Sequence, residues 1–138
     1  MPVYMQLDLA SRQDAFKEYD IRGVYPEEVD EALTAMVASV LAERVFKAGK
    51  VVLGRDGRHS SPSLYQAAIA ALQKYPNLEI VDVGLMTTPA LYFLVNDLKA
   101  SGGIMITASH NAKHMNGIKA VGKRAEFIGG KTIYAMLQ

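Results

Sequence analysis

A short polar segment at residues 107–111 (TASHN) holds the side chains of this sequence that are best suited to chemistry. A serine in a tight loop can present its hydroxyl to a ligand, while backbone N–H groups of the loop point at an anion. His110 and Asn111 add polar side chains beside Ser109, and Lys119 could return a cation to the same region. These residue types predict a site for an anionic ligand.

On the residues alone, a purely structural use of this loop is slightly favoured. In that alternative, Ser109 and Asn111 hydrogen-bond to the backbone of their own loop, as short polar side chains do in turns. Adjacent residues on extended backbone point apart, so the pair Ser109-His110 does not by itself predict catalysis. The Gly-x-Ser-x-Gly pattern of serine hydrolases is also absent.

Three short apolar segments are predicted to be strands that position this loop. Residues 51–53, 78–83 and 104–107 are nearly continuously apolar, which is typical of parallel strands covered on both faces. Helical patterns separate them, and this alternation predicts right-handed crossovers in a mostly parallel sheet. Ligands of such sheets bind beyond the carboxyl ends of the strands, where residues 107–111 fall.

Three helices are predicted to begin with a proline in the first turn, where the missing N–H is tolerated. Their predicted starts are Pro26, Ser61 with Pro62, and Thr88 with Pro89. Gly49 is predicted to close the first helix and Pro76 to end the second. Gly129 and Gly130 precede a predicted last short helix.

Two further segments are expected to extend the sheet. Residues 16–25 predict an edge strand, and residues 117–121 predict another after a turn at 116–117. Residues 1–14 are weakly patterned and are expected to form a leader, with residues 15–138 as the folded domain. The fold class predicted is α/β, a single domain with three α/β/α layers and a mostly parallel, mixed sheet.

Composition excludes several classes of function. The 138 residues carry a net charge of +1 without a basic run, which argues against nucleic acid as a partner. Cysteine is absent, so disulfides and thiolate metal sites are excluded. The apolar stretches are too short for a membrane span and no secretion signal is recognisable, so we expect no membrane partner and a cytoplasmic location.

Four segments, in order along the chain, carry a family resemblance. They are residues 16–23 (FKEYDIRG), 54–61 (GRDGRHSS), 84–89 (GLMTTP) and 107–119 (TASHNAKHMNGIK). The last is similar to the phosphoserine loop of the alpha-D-phosphohexomutases, usually Thr-Ala-Ser-His-Asn-Pro followed by Asn-Gly-x-Lys. The others resemble signatures of the first domain of the same phosphoglucomutase/phosphomannomutase family. Together they cover nearly the whole chain from Phe16 onward.

The resemblance implies an isomerase, an intramolecular phosphotransferase of carbohydrate metabolism. In that family a phosphate on the serine, here Ser109, passes to a hexose monophosphate and forms a bisphosphate intermediate. The intermediate reorients, and its other phosphate returns to the serine. Hexose 1-phosphate and hexose 6-phosphate are thereby interconverted, by a chemistry that depends on positioning and charge stabilisation.

The resemblance also implies roles for individual residues. Ser109 becomes the nucleophile and phosphoryl carrier, and would contact a metal through its phosphate. Lys119 is expected to be a catalytic residue that transfers protons at the sugar hydroxyl. His110 is also expected to be a catalytic residue, which shapes the loop together with Asn111 and touches the phosphoserine. The expected substrate-binding residues are Tyr19, Arg22 and Asn111.

Simpler uses compete for some of these side chains. Arg22 would otherwise be a surface or structural ion pair, and Tyr19 a core or rim aromatic. In the second segment, Ser61 is expected to cap a helix. Arg58 is expected to form an ion pair with a nearby carboxylate rather than reach the serine loop. His59 and His114 are expected to be exposed loop residues.

Two departures from the family pattern matter. Ala112 stands where proline is usual, which is expected to loosen the loop. The Asp-Gly-Asp-x-Asp-Arg loop of the family's second domain, which holds magnesium against the phosphoserine, is absent. Since Mg²⁺ needs several oxygen ligands, we expect its aspartates to come from a second domain.

The expected partners are therefore a hexose phosphate substrate, a hexose 1,6-bisphosphate activator and the remaining domains of a parent enzyme. The chain is expected to be a piece of that enzyme, with little turnover alone. One alternative is a stand-alone sugar-phosphate or phosphate-binding module without catalysis. Another is a generic α/β domain whose serine loop is structural.

Overall fold

Strands and helices alternate along the chain, as the apolar segments predict. The computed structural model describes residues 7–138. The strands are β1 (Ile21–Val24), β2 (Gly49–Arg55), β3 (Leu78–Leu85), β4 (Gly102–Ile106), β5 (Met115–Val121) and β6 (Phe127–Ile128). The helices are α1 (Glu31–Leu41), α2 (Ser61–Leu72), α3 (Thr88–Asp97) and α4 (Gly130–Met136).

The strands form one mixed sheet in the order β1-β5-β4-β2-β3, with β6 paired to β5. β2 is parallel to both β3 and β4, whereas β5 is antiparallel to β4, β1 and β6. Among the described strands, β5 therefore runs against all the others. The predicted mostly parallel, mixed sheet is confirmed, and the edge strand expected within residues 16–25 is β1.

The two faces of the sheet bury different side chains, because neighbouring residues of a strand point to opposite faces. Leu53 and Ile106 face a core shared with α1, α2 and α4. Val52 and Met105 face a second core under α3. All five residues of β4 are buried, as expected for a strand covered on both sides. This arrangement confirms the three-layer α/β/α prediction.

The first helix begins later than its predicted start at Pro26. Residues 25–29 form a turn in which the Glu28 and Val29 N–H groups donate to the Val24 carbonyl. The N-cap of α1 is Asp30, whose carboxylate accepts the Leu33 N–H at 2.9 Å. A side-chain acceptor for an otherwise unpaired N–H decides the helix start here, and proline supplies none.

The end of that helix also differs from the prediction that Gly49 closes it. After Leu41 the chain continues as a π-helix, Ala42–Phe46, and turns at Lys47, whose φ is +63°. Gly49 instead opens β2. Lys47 supplies a positive φ at the helix end, a backbone angle for which glycine is the usual residue.

The predicted turn at residues 116–117 is also wrong, because both residues lie inside β5. Asn116 is fully buried, and its amide donates to the hydroxyls of Ser60 and Ser61. At Gly117 an added Cβ would lie 2.1 Å from the Ile21 carbonyl oxygen. The glycine therefore permits close approach of β1, and the amide anchors β5 to the start of α2.

Residues 1–6 of the predicted leader lie outside the described residues. The rest of that segment contains a 3-10 helix, Ala10–Ala15. Arg12 of this helix forms an ion pair with Asp30 at 3.0 Å. The described part of the leader is thus tied to the start of α1, while the division into leader and domain at residue 15 stays a prediction.

Candidate active site

The predicted site loop lies where the carboxyl ends of the parallel strands meet. β2, β3 and β4 are neighbours in the sheet, so the segments that follow them lie side by side. The Asp56 N–H donates to the Ile106 carbonyl at 3.0 Å, and the Met86 N–H donates to the Arg55 carbonyl at 3.0 Å. Residues 54–61, 84–89 and 107–119 therefore converge at one edge of the sheet.

Ser109 lies exposed in this loop, in a conformation that is rare for a non-glycine residue. Its φ is +58°, in the left-handed region. The Ser109 N–H donates to the Thr107 hydroxyl at 3.0 Å. Within residues 7–138, the Ser109 hydroxyl has no hydrogen-bond partner. The backbone is thus held by Thr107, and the Ser109 side chain does not bond to its own loop.

The neighbours of Ser109 differ from each other in their contacts. The side-chain amide oxygen of Asn111, Oδ1, accepts from Arg22 Nη1 at 3.0 Å, across 89 positions of sequence. Its amide nitrogen lies 3.5 Å from the Met115 sulfur. His110 is exposed, and its imidazole contacts no hydrogen-bond or ion-pair partner in the described part of the chain.

A buried carboxylate joins the two predicted cations of the site. Asp20, with only 4% of its side chain exposed, accepts from Arg22 Nε at 2.9 Å and from Lys119 Nζ at 2.8 Å. About a third of the Arg22 side chain, 34%, stays exposed. Since Arg22 also reaches Asn111, one network runs from Lys119 through Asp20 and Arg22 to the serine loop. It leaves a net positive charge, which suits an anionic ligand.

Tyr19 precedes this network and is not part of a core. Its side chain is 64% exposed, and its ring packs edge-to-face against Phe127 with the centroids 5.3 Å apart. Phe127 is itself 59% exposed. The two rings form an exposed aromatic pair beside Asp20, which is a geometry open to ligand contact.

Asp20 and Gly130, which lie in close contact, had no predicted role in the site. An added Cβ at Gly130 would lie 2.2 Å from the Asp20 carbonyl oxygen, so glycine lets the start of α4 approach the turn at residues 17–20. The Lys131 N–H donates to the Lys17 carbonyl at 2.9 Å across this contact. The pair Gly129-Gly130 was the available signal, but it indicated only a helix start.

Asp56 and Ser61 organise the junction between β2 and α2. The prediction that Ser61 caps α2 is wrong: the N-cap is Ser60, and Ser61 donates to Asp56 Oδ1 at 2.5 Å. Burial raises the pKa of the Asp56 carboxyl, but hydrogen bonds from Ser61 and Thr107 and the positive charge of Arg58 outweigh it. The net shift of the Asp56 pKa is downward, so its charged form is stabilised.

Arg58 makes the predicted ion pair and also reaches the serine loop. Its Nε lies 3.2 Å from Asp56 Oδ2, and its side chain is only 14% exposed. Both Nη groups donate to backbone carbonyls of the loop, for example to Ser109 at 3.0 Å. The ion pair was expected instead of a contact with the loop, whereas the structure combines both.

The acidic and histidine side chains of the described residues are dispersed or already paired. Residues 7–138 contain no group of three or more His, Cys, Asp and Glu that could hold a metal ion. The carboxylates of Asp20 and Asp56 are each paired with a cationic side chain. His59 and His114 are exposed, as predicted.

Two of the clefts bear on where a ligand would bind. One, of about 370 Å³, is lined by residues 56–59 together with Asn111 and Lys113 and adjoins the serine loop. Another, of about 530 Å³, is lined by residues such as Phe16, Lys17 and Tyr134 and contains none of the predicted site residues. The chemistry therefore points to the first cleft although the second is larger.

Across the described residues, no helix combines the length and apolar character needed to cross a bilayer.

Known proteins with similar sequences match this chain over most of its length. A phosphohexose mutase of Xanthomonas campestris pv. campestris (strain B100) is 44% identical over 118 residues, which are 86% of this chain and 26% of that protein. A phosphomannomutase of Klebsiella pneumoniae is 39% identical over 117 residues, 85% of this chain and 73% of that protein. The chain thus spans about a quarter of the length of the Xanthomonas relative.

Solved structures agree in fold. A phosphoglucomutase/phosphomannomutase family protein from Burkholderia thailandensis superposes with a TM-score of 0.78 at 32% identity, over 90% of this chain and 29% of that one. The sequence profile described as "Phosphoglucomutase/phosphomannomutase, alpha/beta/alpha domain I" matches residues 13–137. Since that match includes the strands, the serine loop and the Asp20 network, this chain belongs to the phosphoglucomutase/phosphomannomutase family as its α/β/α domain I.

Proposed function

We propose that this chain is the phosphoserine-bearing domain of a hexose phosphate mutase and that Ser109 carries the phosphoryl group. The observation that supports this most is the state of Ser109. Its backbone is held in a left-handed conformation, while its hydroxyl is exposed and has no protein partner within residues 7–138. A serine that only closed its own loop would direct its hydroxyl to the backbone.

The proposed reaction has two balanced half-reactions. The oxygen of a sugar hydroxyl bonds to the phosphorus of phosphorylated Ser109 as the bond from that phosphorus to the Ser109 Oγ breaks. Lys119, an ammonium paired with Asp20, donates a proton to the departing Ser109 oxygen as it takes up the proton of the sugar hydroxyl, so its charge is the same before and after the step. The hexose bisphosphate then reorients, and its other phosphoryl group returns to Ser109, which interconverts hexose 1-phosphate and hexose 6-phosphate.

The remaining side chains have positioning tasks in this proposal. Arg22 presents its exposed donors to phosphate oxygens, and its bond to Asn111 keeps it close to the serine loop. Tyr19 contacts the sugar from its exposed position beside Asp20. His110, exposed next to Ser109, shapes the loop and touches the phosphoserine.

We further propose that magnesium, which would contact Ser109 through its phosphate, is held by aspartates outside this chain. The support is the lack of a suitable ligand group within residues 7–138. When bound, the ion would neutralise charge on the transferring phosphoryl group. The partners are then a hexose phosphate, a hexose 1,6-bisphosphate activator and the other domains of a mutase, and turnover by this chain alone is expected to be low.

The proposal is tested by mass spectrometry of the intact chain before and after incubation with a hexose 1,6-bisphosphate and Mg²⁺. We expect one added phosphoryl group that maps to Ser109 and is absent in Ser109→Ala. Ser63→Ala is the matched control, because Ser63 is also exposed but lies on α2 and bonds to Glu31. Phosphate on another residue would contradict the role of Ser109.

The same incubation separates the second candidate, a sugar-phosphate or phosphate-binding module without catalysis. The observation on which that candidate rests is the lack of a carboxylate group for a metal within residues 7–138. An unmodified Ser109, together with calorimetric binding of the bisphosphate that Arg22→Ala weakens, would support it. Neither modification nor binding would indicate a structural serine loop.

A further inference from the structure

All five N–H donors of the Arg58 guanidinium are used, and four of them bond to one loop. Nη1 donates to the carbonyls of Ala112 at 2.7 Å and Met115 at 3.0 Å. Nη2 donates to the carbonyls of Ser109 at 3.0 Å and Asn111 at 2.8 Å. The fifth donor, Nε, bonds to Asp56. Arg58 has no remaining donor for a substrate phosphate, so its role is exerted through the loop.

This arrangement depends on the planar fork of a guanidinium. Four carbonyl oxygens of residues 109–115 turn toward one point, and their partial negative charges repel each other unless a cation lies between them. A guanidinium presents two donors on each terminal nitrogen in one plane, whereas an ammonium presents three donors from one atom. Lysine could therefore supply the charge but could not serve all of these acceptors.

Arg58 is itself held in place by the carboxylate of Asp56. Asp56 accepts both the Arg58 N–H at 3.1 Å and the Arg58 Nε at 3.2 Å, and Ser61 donates to the same carboxylate. The Asp56 N–H in turn donates to the Ile106 carbonyl at the end of β4. The cation is thus attached to the junction of β2 and α2, which lies 51 positions before Ser109 in the sequence.

The contact with Ser109 is the one that bears on chemistry. The peptide groups on both sides of this left-handed residue are bonded, the N–H to Thr107 and the carbonyl to Arg58. A left-handed non-glycine residue costs roughly 1–2 kcal/mol and persists where its surroundings hold it. The bond to the Ala112 carbonyl also restrains the position at which the family's usual proline is missing.

We propose that Arg58 is a positioning residue, which holds the serine loop closed around its guanidinium and so keeps Ser109 in its left-handed, outward-facing conformation. What the held serine does rests on the function proposed above. The holding itself is a property of this chain that is measurable without any phosphoryl transfer.

The test is amide hydrogen exchange of residues 107–115 in the full chain, compared between Arg58→Ala and Arg12→Ala. Arg12 is the matched control because its ion pair with Asp30 is equally buried, with 15% of the arginine side chain exposed against 14% for Arg58. We expect Arg58→Ala to speed loop exchange by about tenfold or more relative to β4, through local opening. Arg12→Ala should change loop exchange by less than about twofold.

Chemical rescue distinguishes positioning from a general loss of packing. Guanidinium at tens of millimolar, far below denaturing concentrations, should restore slow loop exchange in Arg58→Ala. Methylammonium at the same ionic strength should not, and Arg58→Lys should lie between Arg58→Ala and the unchanged chain. Sodium chloride at the same concentration controls for screening.

Three results would overturn the proposal. These are loop exchange unchanged in Arg58→Ala, exchange that rises equally in the loop and in β4, and rescue by methylammonium as good as by guanidinium. Should Arg58→Ala not fold, Arg58→Lys compared with the unchanged chain gives the same decision, because lysine keeps the charge but cannot serve all four carbonyls. If Ser109 accepts no phosphoryl group while loop exchange still follows Arg58, the proposed function fails and the positioning role stands.

Discussion

Asp20 is the residue on which the charged part of the site depends. Its carboxylate is nearly buried and accepts from Arg22 and Lys119. A buried carboxylate is tolerated when cations and hydrogen bonds compensate for lost hydration, and here two cations do so. The same contacts set the distance between Arg22 and Lys119. Asp20 therefore stabilises the fold and positions both cations at once.

Asp20→Asn should lower the stability of the chain. The amide keeps the shape of the side chain but removes its negative charge, which leaves two cations without their shared partner. Because both cations are partly exposed, we expect a loss of about 1–3 kcal/mol in the free energy of unfolding. The measurement is urea denaturation, and the exposed Asp14, changed to Asn, is the control. Equal midpoints for the two variants would refute the central role of Asp20.

At the scale of elements, the junction of β2 and α2 holds the serine loop that follows the neighbouring strand β4. Asp56 follows β2, bonds to Ser61 at the start of α2, and pairs with Arg58. The net downward shift of the Asp56 pKa shows that the folded chain favours the ionised carboxylate. The order of the junction should therefore depend on pH.

Acidification should weaken this junction. The folded pKa of Asp56 lies below the unfolded value, so its stabilising contribution is fully present above about pH 4, the ordinary range of aspartate, and is lost as the pH falls through the lowered folded pKa. The chain should exceed Asp56→Asn in stability at neutral pH, and the difference should vanish in acid. Urea midpoints against pH measure this. Asp97→Asn, at an exposed site on α3, should show no such convergence.

Helix boundaries illustrate how elements were predicted well in kind but less well in extent. The apolar spacing correctly indicated α1, α2 and α3, and Leu91 and Val95 of α3 are buried. The start of α1 at Glu31 instead of Pro26 was decided by the Asp30 carboxylate, which supplies the first acceptor. Arg12, 18 positions earlier in the sequence, holds that carboxylate, and a local pattern does not reveal such a contact.

On the scale of the whole molecule, stability comes from cores on both faces of the sheet. Leu53 of β2 is fully buried in the core shared with α1 and α2. Leu85 of the edge strand β3 is 66% exposed. Both leucines lie in neighbouring strands, and they differ in how far their side chains are buried.

Leu53→Ala should destabilise the whole domain, and Leu85→Ala should not. The first leaves a cavity in a packed core and is expected to lower the free energy of unfolding by about 2–5 kcal/mol. The second removes mostly solvated atoms and should stay within about 0.5 kcal/mol. Calorimetric or urea unfolding of the two variants gives the comparison. A large loss for Leu85→Ala would mean that this exposed edge is covered in solution.

The sequence by itself determined the class of fold, the approximate places of β1 to β5 and the loop that carries the candidate nucleophile. Continuous apolar runs, helical spacing and the TASHN segment are local signals, since each is set by residues a few positions apart. The four family-like segments added the expected roles of Ser109, Arg22 and Lys119. Those signals required no knowledge of which strands are neighbours.

Only the tertiary structure decided how the charged residues are connected. Asp20 meets Lys119 because β1 and β5 pair with Ile21 opposite Ile118, and Arg58 meets the serine loop because β2 and β4 pair with Arg55 opposite Ile106. These contacts join residues about 50 to 100 positions apart. Since ion pairing depends on distance in space, the strand register had to be known before a partner could be assigned to either cation.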